Sequence, residues 1–282
     1  ESPLPVVADV HFDHTLAIDA ARTGAAKLRI NPGNIGDMAR VDAVIEAAGE
    51  AGIPIRIGVN AGSLATEFDE RDWPLADKLA ASAVSFCNPF ESRGFSDIVV
   101  SAKASSVAET VDAYRRLATE IDYPLHIGVT EAGTLLSGTV KSSVGLGILL
   151  AEGIGDTLRV SLTADPIEEI AVGWEILSAL GIRRRGPELV SCPTCGRCQV
   201  DLIGIANEVA SRLTSRSAPI KVAVMGCEVN GPGEARDADI GVACGKGVGL
   251  LFAHGEALRK VAEAEIIDAL FAEIDRLERA QG

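Results

Sequence analysis

The first 183 residues alternate between short apolar segments and longer amphipathic ones. Six of the apolar segments have the length of β-strands: residues 5–10, 27–31, 53–60, 97–103, 125–131 and 157–162. Their apolar residues are mostly continuous instead of alternating with polar ones, which is typical of parallel strands that helices cover. Capping boxes at Ser106 and Asp165 predict the starts of two intervening helices, and Gly181 predicts the end of the second. This alternation predicts either a TIM-type (β/α)8 barrel or an open doubly wound sheet.

Polar side chains gather near the ends of all six predicted strands, and this distribution favours the barrel. A barrel carries its functional residues on the C-terminal ends of many strands, whereas an open sheet concentrates them at one switch point. Six strands are two fewer than a barrel needs, and the chain begins at Glu1 without a methionine. We therefore expect the first two barrel strands to be absent from this chain. The polar residues are Asp9, His11, Arg29, Asn31, Arg56, Asn60, Lys103, Thr130, Glu131, Arg159 and Ser161.

A basic, turn-rich stretch at residues 181–187 indicates a boundary between a barrel domain, residues 1–183, and a second domain, residues 184–282. For the second domain the pattern predicts a strand that leads into a cysteine loop, a helix over 201–213, a strand over 220–226 and a hairpin over 239–253. A long final helix is expected from Glu256. This order of elements is that of a small α+β domain.

The charge balance excludes several classes of partner. The chain has 40 acidic and 26 basic residues, a net charge of −14, which argues against binding to nucleic acid or to anionic lipid. A site for phosphate groups must therefore be local. The sequence contains no long apolar run and no signal-peptide pattern at its N-terminus, so we expect a cytoplasmic protein that is not inserted in a membrane.

Six cysteines in such a chain indicate a metal site rather than disulfides, since three of them lie within residues 192–198. The two-residue spacing between Cys192 and Cys195 lets two thiolates reach one metal from a single turn, and Cys227 follows a predicted strand. Cys198 does not complete the bacterial ferredoxin pattern, because Leu and Ile occupy positions 202 and 203.

The turn-forming stretch after Cys227 can present Glu234 to the same metal. Three thiolates and one carboxylate suit a catalytic iron–sulfur cluster, because an oxygen ligand on one iron is exchangeable. The spacing alone leaves open a structural zinc site that Cys198 or Cys244 completes.

Five motifs resemble those of the 4-hydroxy-3-methylbut-2-enyl diphosphate synthase family, the iron–sulfur enzymes of the methylerythritol phosphate route to isoprenoids. They occur in the family's order and extend over essentially the whole chain. The motifs are RINPGNIG (29–36), VTEAG (129–133), KSSVGLGILLAEGIGDTLRVSLTADP (141–166), SCPTCGR (191–197) and GCEVNGPGEA (226–235).

The resemblance implies a TIM-type barrel followed by a domain that holds a 4Fe-4S cluster. It implies the two-electron reduction of 2-C-methyl-D-erythritol 2,4-cyclodiphosphate to the open-chain allylic diphosphate, with ferredoxin or flavodoxin as electron donor. It also implies a homodimer, in which the cluster domain of one subunit closes over the barrel of the other.

The resemblance also assigns roles to single residues by motif match. The cluster ligands are Cys192, Cys195, Cys227 and Glu234, and the active-site acid or base is Glu131. The diphosphate contacts are Arg29, Arg56, Lys103, Arg159 and Ser161, and the further pocket residues are Asp9, His11, Asn31, Asn60 and Thr130.

Two features depart from the family. Its N-terminal segment, with the first two strands and a further basic contact, is not found here, and Cys198 stands where other members have a different residue. Two alternatives for the function are a non-redox TIM-barrel lyase with a structural zinc, and an electron carrier that holds a cluster without a substrate.

Overall fold

Two compact units, Glu1–Leu180 and Gly181–Gly282, make up the chain, and each has its own hydrophobic core. The structure, a computed structural model, describes residues 2–64, 66–227, 233 and 236–281. The sequence predicts the division after residue 183, in the same turn-rich stretch. Within the described parts of the chain, no helix is both long and apolar enough to cross a membrane.

Six parallel strands lie in the described part of the first unit, at the six predicted positions. They are β1 (Val7–Asp9), β2 (Lys27–Ile30), β3 (Ile55–Asn60), β4 (Ile98–Lys103), β5 (His126–Ile127) and β6 (Thr157–Leu158). Strands β1 to β4 pair in chain order, and β5 pairs with β6. A parallel bridge between Val100 and Leu125 continues this order from β4 to β5. The arrangement is that of consecutive β/α units in a partial TIM-type barrel.

Strands β5 and β6 are shorter than the predicted segments. Beyond β5 the chain still follows β4, because the N–H of Thr130 donates to the carbonyl of Ala104 at 3.1 Å. The next residue, Glu131, has a φ of 52°, which is uncommon for a residue other than glycine and turns the chain away from the strand direction.

Helices connect successive strands, and the predicted caps of two of them are confirmed. Ser106 accepts a hydrogen bond from the N–H of Glu109 at the start of one helix, and Asp165 accepts one from Ile167 at the start of another. Gly181, with a φ of 68°, follows the end of the second. The helices are α1 (His14–Arg22), α2 (Pro32–Ile35), α3 (Met38–Ala51), α4 (Thr66–Asp69), α5 (Leu75–Glu91), α6 (Val107–Glu120), α7 (Leu135–Ala151) and α8 (Pro166–Ala179).

Tyr114 on α6 joins β4 to β5. Its side chain is fully buried, and its hydroxyl donates to the carbonyl of His126 at 2.6 Å and accepts from the N–H of Ala102 at 3.2 Å. The hydroxyl supplies a further link between the Val100–Leu125 bridge and the hydrogen bond from Thr130 to Ala104 beyond β5.

A five-stranded mixed sheet forms the second unit. Its strands are β7 (Glu188–Ser191), β8 (Lys221–Met225), β9 (Ile240–Gly245), β10 (Val248–Ala253) and β11 (Glu256–Ala262). Their order is β11-β10-β9-β8-β7, with β7, β8 and β9 parallel and β10 antiparallel to both its neighbours. Helices α9 (Leu202–Leu213) and α10 (Ile266–Gln281) contribute Val209, Leu270 and Ile274 to the core on one face of this sheet. The predicted α+β class of this unit is confirmed.

The predicted start of the final helix at Glu256 is wrong. Residues Glu256–Ala262 form β11, and the helix begins at Ile266. The residues of β11 favour a helix locally, but their pairing with β10 prevails. The turn residues His254 and Gly255 have φ values of 48° and 79°, as a two-residue type I′ hairpin requires.

Replacing Tyr114 with Phe should destabilise the first unit. The change leaves the carbonyl of His126 and the N–H of Ala102 without this buried partner, which costs about 1–3 kcal/mol. Tryptophan fluorescence during urea unfolding reports on this unit, because both tryptophans, Trp73 and Trp174, lie in it. We expect the unfolding midpoint to fall.

Tyr123→Phe is the matched control. The hydroxyl of Tyr123 donates to the exposed carboxylate of Glu91 at 2.9 Å, so its removal leaves no buried group unpaired. Equal midpoints for the two variants would contradict the role assigned to Tyr114.

Candidate functional site

Four basic side chains from different strands of the first unit lie close enough for their charges to interact. They are Arg29 on β2, Arg56 on β3, Lys103 on β4 and Arg159 directly after β6, and we call them the cationic cluster. The strand register pairs Arg29 with Arg56. The charges of Arg159, Arg56 and Arg29 all lower the pKa of Lys103, so the four groups share one electrostatic environment.

Arg29 is held in place by its neighbours. Its side chain is buried, and its Nη1 donates to Oδ1 of Asp9 at 2.9 Å and lies 3.1 Å from Nε2 of His11. Its Nη2 donates to the carbonyl of Gly58 at 3.3 Å. In the amide orientation that satisfies both ends of Asn60, the Asn60 oxygen accepts from the same Nη2 at 3.2 Å. A Cβ at Gly58 would overlap Nε of Arg29, so glycine at this position leaves room for the guanidinium group where it lies.

Arg56 reaches the cationic cluster from a position that the sequence analysis misjudged. It lies near the start of β3 and not at its C-terminal end, and the strand register places it level with Arg29. Its Nε is buried and has no hydrogen-bond partner among the described residues. Burial lowers the pKa of Arg56, while Asp9 raises it and Arg29 and Arg159 lower it.

Lys103 at the end of β4 is 5% exposed, and its ammonium group forms no hydrogen bond or ion pair with the residues that the structure describes. Burial lowers the pKa of its ammonium group well below the usual range, and the three guanidinium groups lower it further, whereas Asp9 raises it. In the described chain, Asp9 is the one carboxylate at ion-pair distance from any member of the cationic cluster, through Arg29. The cluster therefore carries an excess of positive charge that suits an anionic ligand.

The remaining predicted residues of this site lie on the loops after the strands. Thr130 and Glu131 follow β5, where Thr130 is half-buried and Glu131 is exposed, and Ser161 is buried after β6. Asn31 caps α2, and its Nδ2 donates to Oγ of Ser63 at 3.0 Å. Because this amide is engaged within the protein, a direct contact of Asn31 with a ligand stays a prediction.

His126 belongs to the same surroundings but is not among the residues predicted from the sequence. Its Nδ1 lies 2.8 Å from Oγ1 of Thr157, and its Nε2 is buried without a partner among the described residues. Burial and the neighbouring cations, Lys103 foremost, lower the pKa of His126 to about 2, so the ring is neutral at physiological pH. A usable signal existed, because His126, Gly128 and Thr130 occupy alternate positions of one predicted strand and share a face.

Two cysteine-bearing loops of the second unit leave the same edge of its sheet. Cys192 directly follows β7, and Cys227 comes shortly after β8, the parallel neighbour of β7. The N–H of Gly226 donates to Sγ of Cys192 at 3.2 Å. A Cβ at Gly226 would lie 3.0 Å from Sγ of Cys198, so glycine at this position lets the two loops approach closely.

The local environments of the thiols differ. Arg197 donates hydrogen bonds to the exposed Cys195 that lower the pKa of this thiol. The bond from the backbone N–H has the largest effect, and the bond from the side chain comes second. Burial raises the pKa of Cys87 and of Cys244 to about 12. Because the thiolate is the form that binds metal, Cys195 is suited to be a ligand, whereas Cys87 and Cys244 are suited to packing.

The donor chemistry of these loops fits an iron–sulfur cluster. Three thiols come from loops after neighbouring strands, and backbone N–H groups donate to two of them, Cys192 and Cys195. Such hydrogen bonds to sulfur are a usual feature of cluster sites. Glu234, the predicted fourth ligand, lies outside the described residues. Within the described part of the chain, no three His, Cys, Asp or Glu side chains form a complete ligand set for a metal ion.

Comparison with known proteins identifies the family. The GcpE TIM-barrel domain matches residues 1–174, and the GcpE protein C-terminal domain matches residues 188–276. The 4-hydroxy-3-methylbut-2-en-1-yl diphosphate synthase (flavodoxin) of Geobacter sulfurreducens is 58% identical over 98% of this chain and 79% of its own length. The enzymes of the same name from Clostridium acetobutylicum and Geobacillus kaustophilus are 55% and 54% identical, each over 97% of this chain and over 79% and 74% of their own lengths.

These matches confirm the resemblance predicted from the motifs and the fold class of a TIM-type barrel with a small C-terminal domain. They cover both units, the one with the cationic cluster and the one with the cysteine loops. The chain therefore belongs to the GcpE family, the 4-hydroxy-3-methylbut-2-en-1-yl diphosphate synthases.

Proposed function

We propose that this chain reduces 2-C-methyl-D-erythritol 2,4-cyclodiphosphate to 4-hydroxy-3-methylbut-2-enyl diphosphate with two electrons from flavodoxin. The reaction opens the cyclic diphosphate at one C–O bond and removes one hydroxyl oxygen as water. The names of the relatives, which specify flavodoxin, support this donor over ferredoxin. The function belongs to isoprenoid biosynthesis.

The observation that carries the proposal is the cationic cluster. Arg56, Lys103 and Arg159 have no carboxylate at ion-pair distance among the described residues, and Arg29 shares Asp9 with His11. A diphosphate offers several oxygens to guanidinium and ammonium donors, and such charge-assisted hydrogen bonds are among the strongest in proteins. We assign the phosphate groups of the substrate to the cationic cluster, with Ser161 as a further donor.

Glu131 is our candidate for the group that exchanges a proton with the substrate. It lies on the loop after β5. The preceding residue, Thr130, donates its N–H to the carbonyl of Ala104, which is the residue after Lys103. Its left-handed backbone is of the kind that costs energy and recurs at active sites. An exposed carboxylate at the end of a barrel strand can deliver a proton to the oxygen that leaves.

The cluster ligands in this proposal are Cys192, Cys195, Cys227 and Glu234. When bound, a 4Fe-4S cluster supplies single electrons to the C–O bond that breaks. The N–H of Gly226 donates to Sγ of Cys192 and holds this sulfur at the loop, and the hydrogen bonds from Arg197 lower the pKa of Cys195 and so favour the thiolate that binds iron.

Family membership removes the support for the two alternatives, the lyase with structural zinc and the electron carrier. The homodimer and the cytoplasmic location stay predictions from the sequence.

Replacing Gly58 with Ala should weaken binding of the cyclic diphosphate. The new Cβ would overlap Nε of Arg29 and displace its guanidinium from Asp9. The loss of one charge-assisted contact, about 1.5–3 kcal/mol, corresponds to a Kd roughly 10- to 150-fold higher. Calorimetric titration of the oxidised protein measures this change. Gly62→Ala, where a Cβ meets nothing within 4 Å, is the control and should bind as the wild type does; equal affinities would contradict the role of Gly58.

Replacing Glu131 with Gln should leave the iron content and the binding of the cyclic diphosphate unchanged but lower turnover by about 10²–10⁴-fold, the usual contribution of a general acid or base. Steady-state assays with reduced flavodoxin measure the rate. Glu120→Gln, an exposed acid at the end of α6, should keep full activity. Unchanged turnover in Glu131→Gln would remove this residue from the mechanism.

Replacing Cys195 with Ser should lower the iron and acid-labile sulfide bound per chain after anaerobic purification, because a serine oxygen is a poorer ligand for the cluster than a thiolate. Cys87→Ala should keep the wild-type content, since Cys87 is buried in the first unit. Wild-type protein that contains zinc and no sulfide would contradict the cluster assignment.

A further inference from the structure

Lys103 sits in surroundings that disfavour its charged form. The charged and titratable groups that act on it come from each of the other strands of the unit: Asp9 on β1, Arg29 on β2, Arg56 on β3, His126 on β5 and Arg159 after β6. Three of these five are guanidinium groups, one is a neutral imidazole, and one is a carboxylate whose Oδ1 is 2.9 Å from Arg29. Among the described residues, the carboxylate of Asp9 therefore forms its ion pair with Arg29 and not with Lys103.

We propose that Lys103 is uncharged in the free protein and takes up a proton when the cyclic diphosphate binds, so that the fourth positive charge arises only with the anion in place. This inference rests on the proposed function, because it names what the same site does when its substrate arrives.

Lys103 is the group of the cationic cluster that can give up its proton. Guanidinium groups stay protonated in proteins, so Arg29, Arg56 and Arg159 keep their charges. A lysine ammonium loses its proton readily when it is buried and faces other cations. Removing that proton relieves both the desolvation of Lys103, which is 5% exposed, and its repulsion by the three arginines.

The chemistry of the ligand makes the proton uptake measurable. Each phosphorus of a cyclic diphosphate diester carries one ionisable oxygen, and both are strong acids, so the ligand is a dianion that exchanges no protons near neutral pH. Its two negative charges favour the protonated form of Lys103 and raise the pKa of this group in the complex. Any proton that is taken up on binding is therefore bound by the protein and not by the ligand.

The sign of the pH dependence follows from this shift. Between the low pKa of Lys103 in the free protein and its higher pKa in the complex, binding requires one proton, so the affinity falls by about tenfold for each unit of rising pH. Below the free-state pKa, Lys103 is already charged, and both the uptake and the pH dependence vanish.

The experiment is calorimetric titration of the oxidised holoenzyme with the cyclic diphosphate, without an electron donor so that no turnover occurs. Titrations at one pH in buffers of different ionisation enthalpy give the number of protons taken up, and a pH series gives the affinity slope. We expect close to one proton per site for the wild type above the free-state pKa. Lys78→Met is the control and should behave like the wild type, because Lys78 is a half-buried lysine outside the cationic cluster whose Nζ donates to the carbonyl of Asp69.

Two variants assign the proton. Lys103→Arg carries a permanent charge and should bind without proton uptake and without the pH slope. Lys103→Met should bind at least tenfold more weakly at neutral pH, again without proton uptake. If the arginine does not fit, the methionine variant still decides whether the uptake depends on Lys103.

The outcomes separate this inference from the proposed function. Tight binding by the wild type without proton uptake would overturn the inference and leave the function standing. Uptake that persists in both variants would belong to another group, His126 foremost, and would also overturn the inference. No binding of the cyclic diphosphate by the wild-type holoenzyme would overturn the proposed function and the inference with it.

Discussion

Repulsion between the cations that β2, β3 and β4 bring together is the constraint on which the first unit is built. Arg29 has a carboxylate partner in Asp9, while Nε of Arg56 and the ammonium group of Lys103 have no hydrogen-bond partner among the described residues. The apolar strands offset this cost. Leu28 and Ile57, for example, are fully buried, and burial of such a side chain contributes about 1.5–3 kcal/mol. The unit therefore folds around a local surplus of positive charge, which a bound anion would offset.

In the second unit, too, the surroundings of a side chain decide which of its protonation states is favoured. Its cysteines are chemically identical, yet Cys195 receives hydrogen bonds from a loop while Cys244 lies in the sheet core. The first environment favours a thiolate and the second a protonated thiol. Reactivity is thus assigned by the position of a thiol relative to the sheet edge, where loops leave β7 and β8, and not by the number of cysteines.

The sequence predicted the strands of the first unit because continuous apolar segments report burial on both faces directly, whereas the roles of the site residues come from the motif resemblance and stay predictions. It failed where tertiary contacts decide. The segment Glu256–Ala262 pairs with β10 against its local helix preference, and Arg56 joins the cationic cluster through the register between strands, which no single segment encodes. Gly58 was missed for another reason: a missing side chain leaves no pattern in a sequence. His126 shares a strand face with Thr130, but its burial beside the cationic cluster emerges only from the fold.

A net charge of −14 and a cationic cluster coexist in this chain because they act over different distances. Salt screens an exposed charge over about 8 Å under physiological conditions, so a surface carboxylate repels only those anions that come within about this distance. A polyanion such as nucleic acid must approach many surface carboxylates at once, whereas a small dianion meets few of them. Inside, Arg29 and Lys103 are buried, and the attraction between charges there is less screened than at the surface. The choice between large and small phosphate ligands therefore follows from where the charges lie and not from their sum.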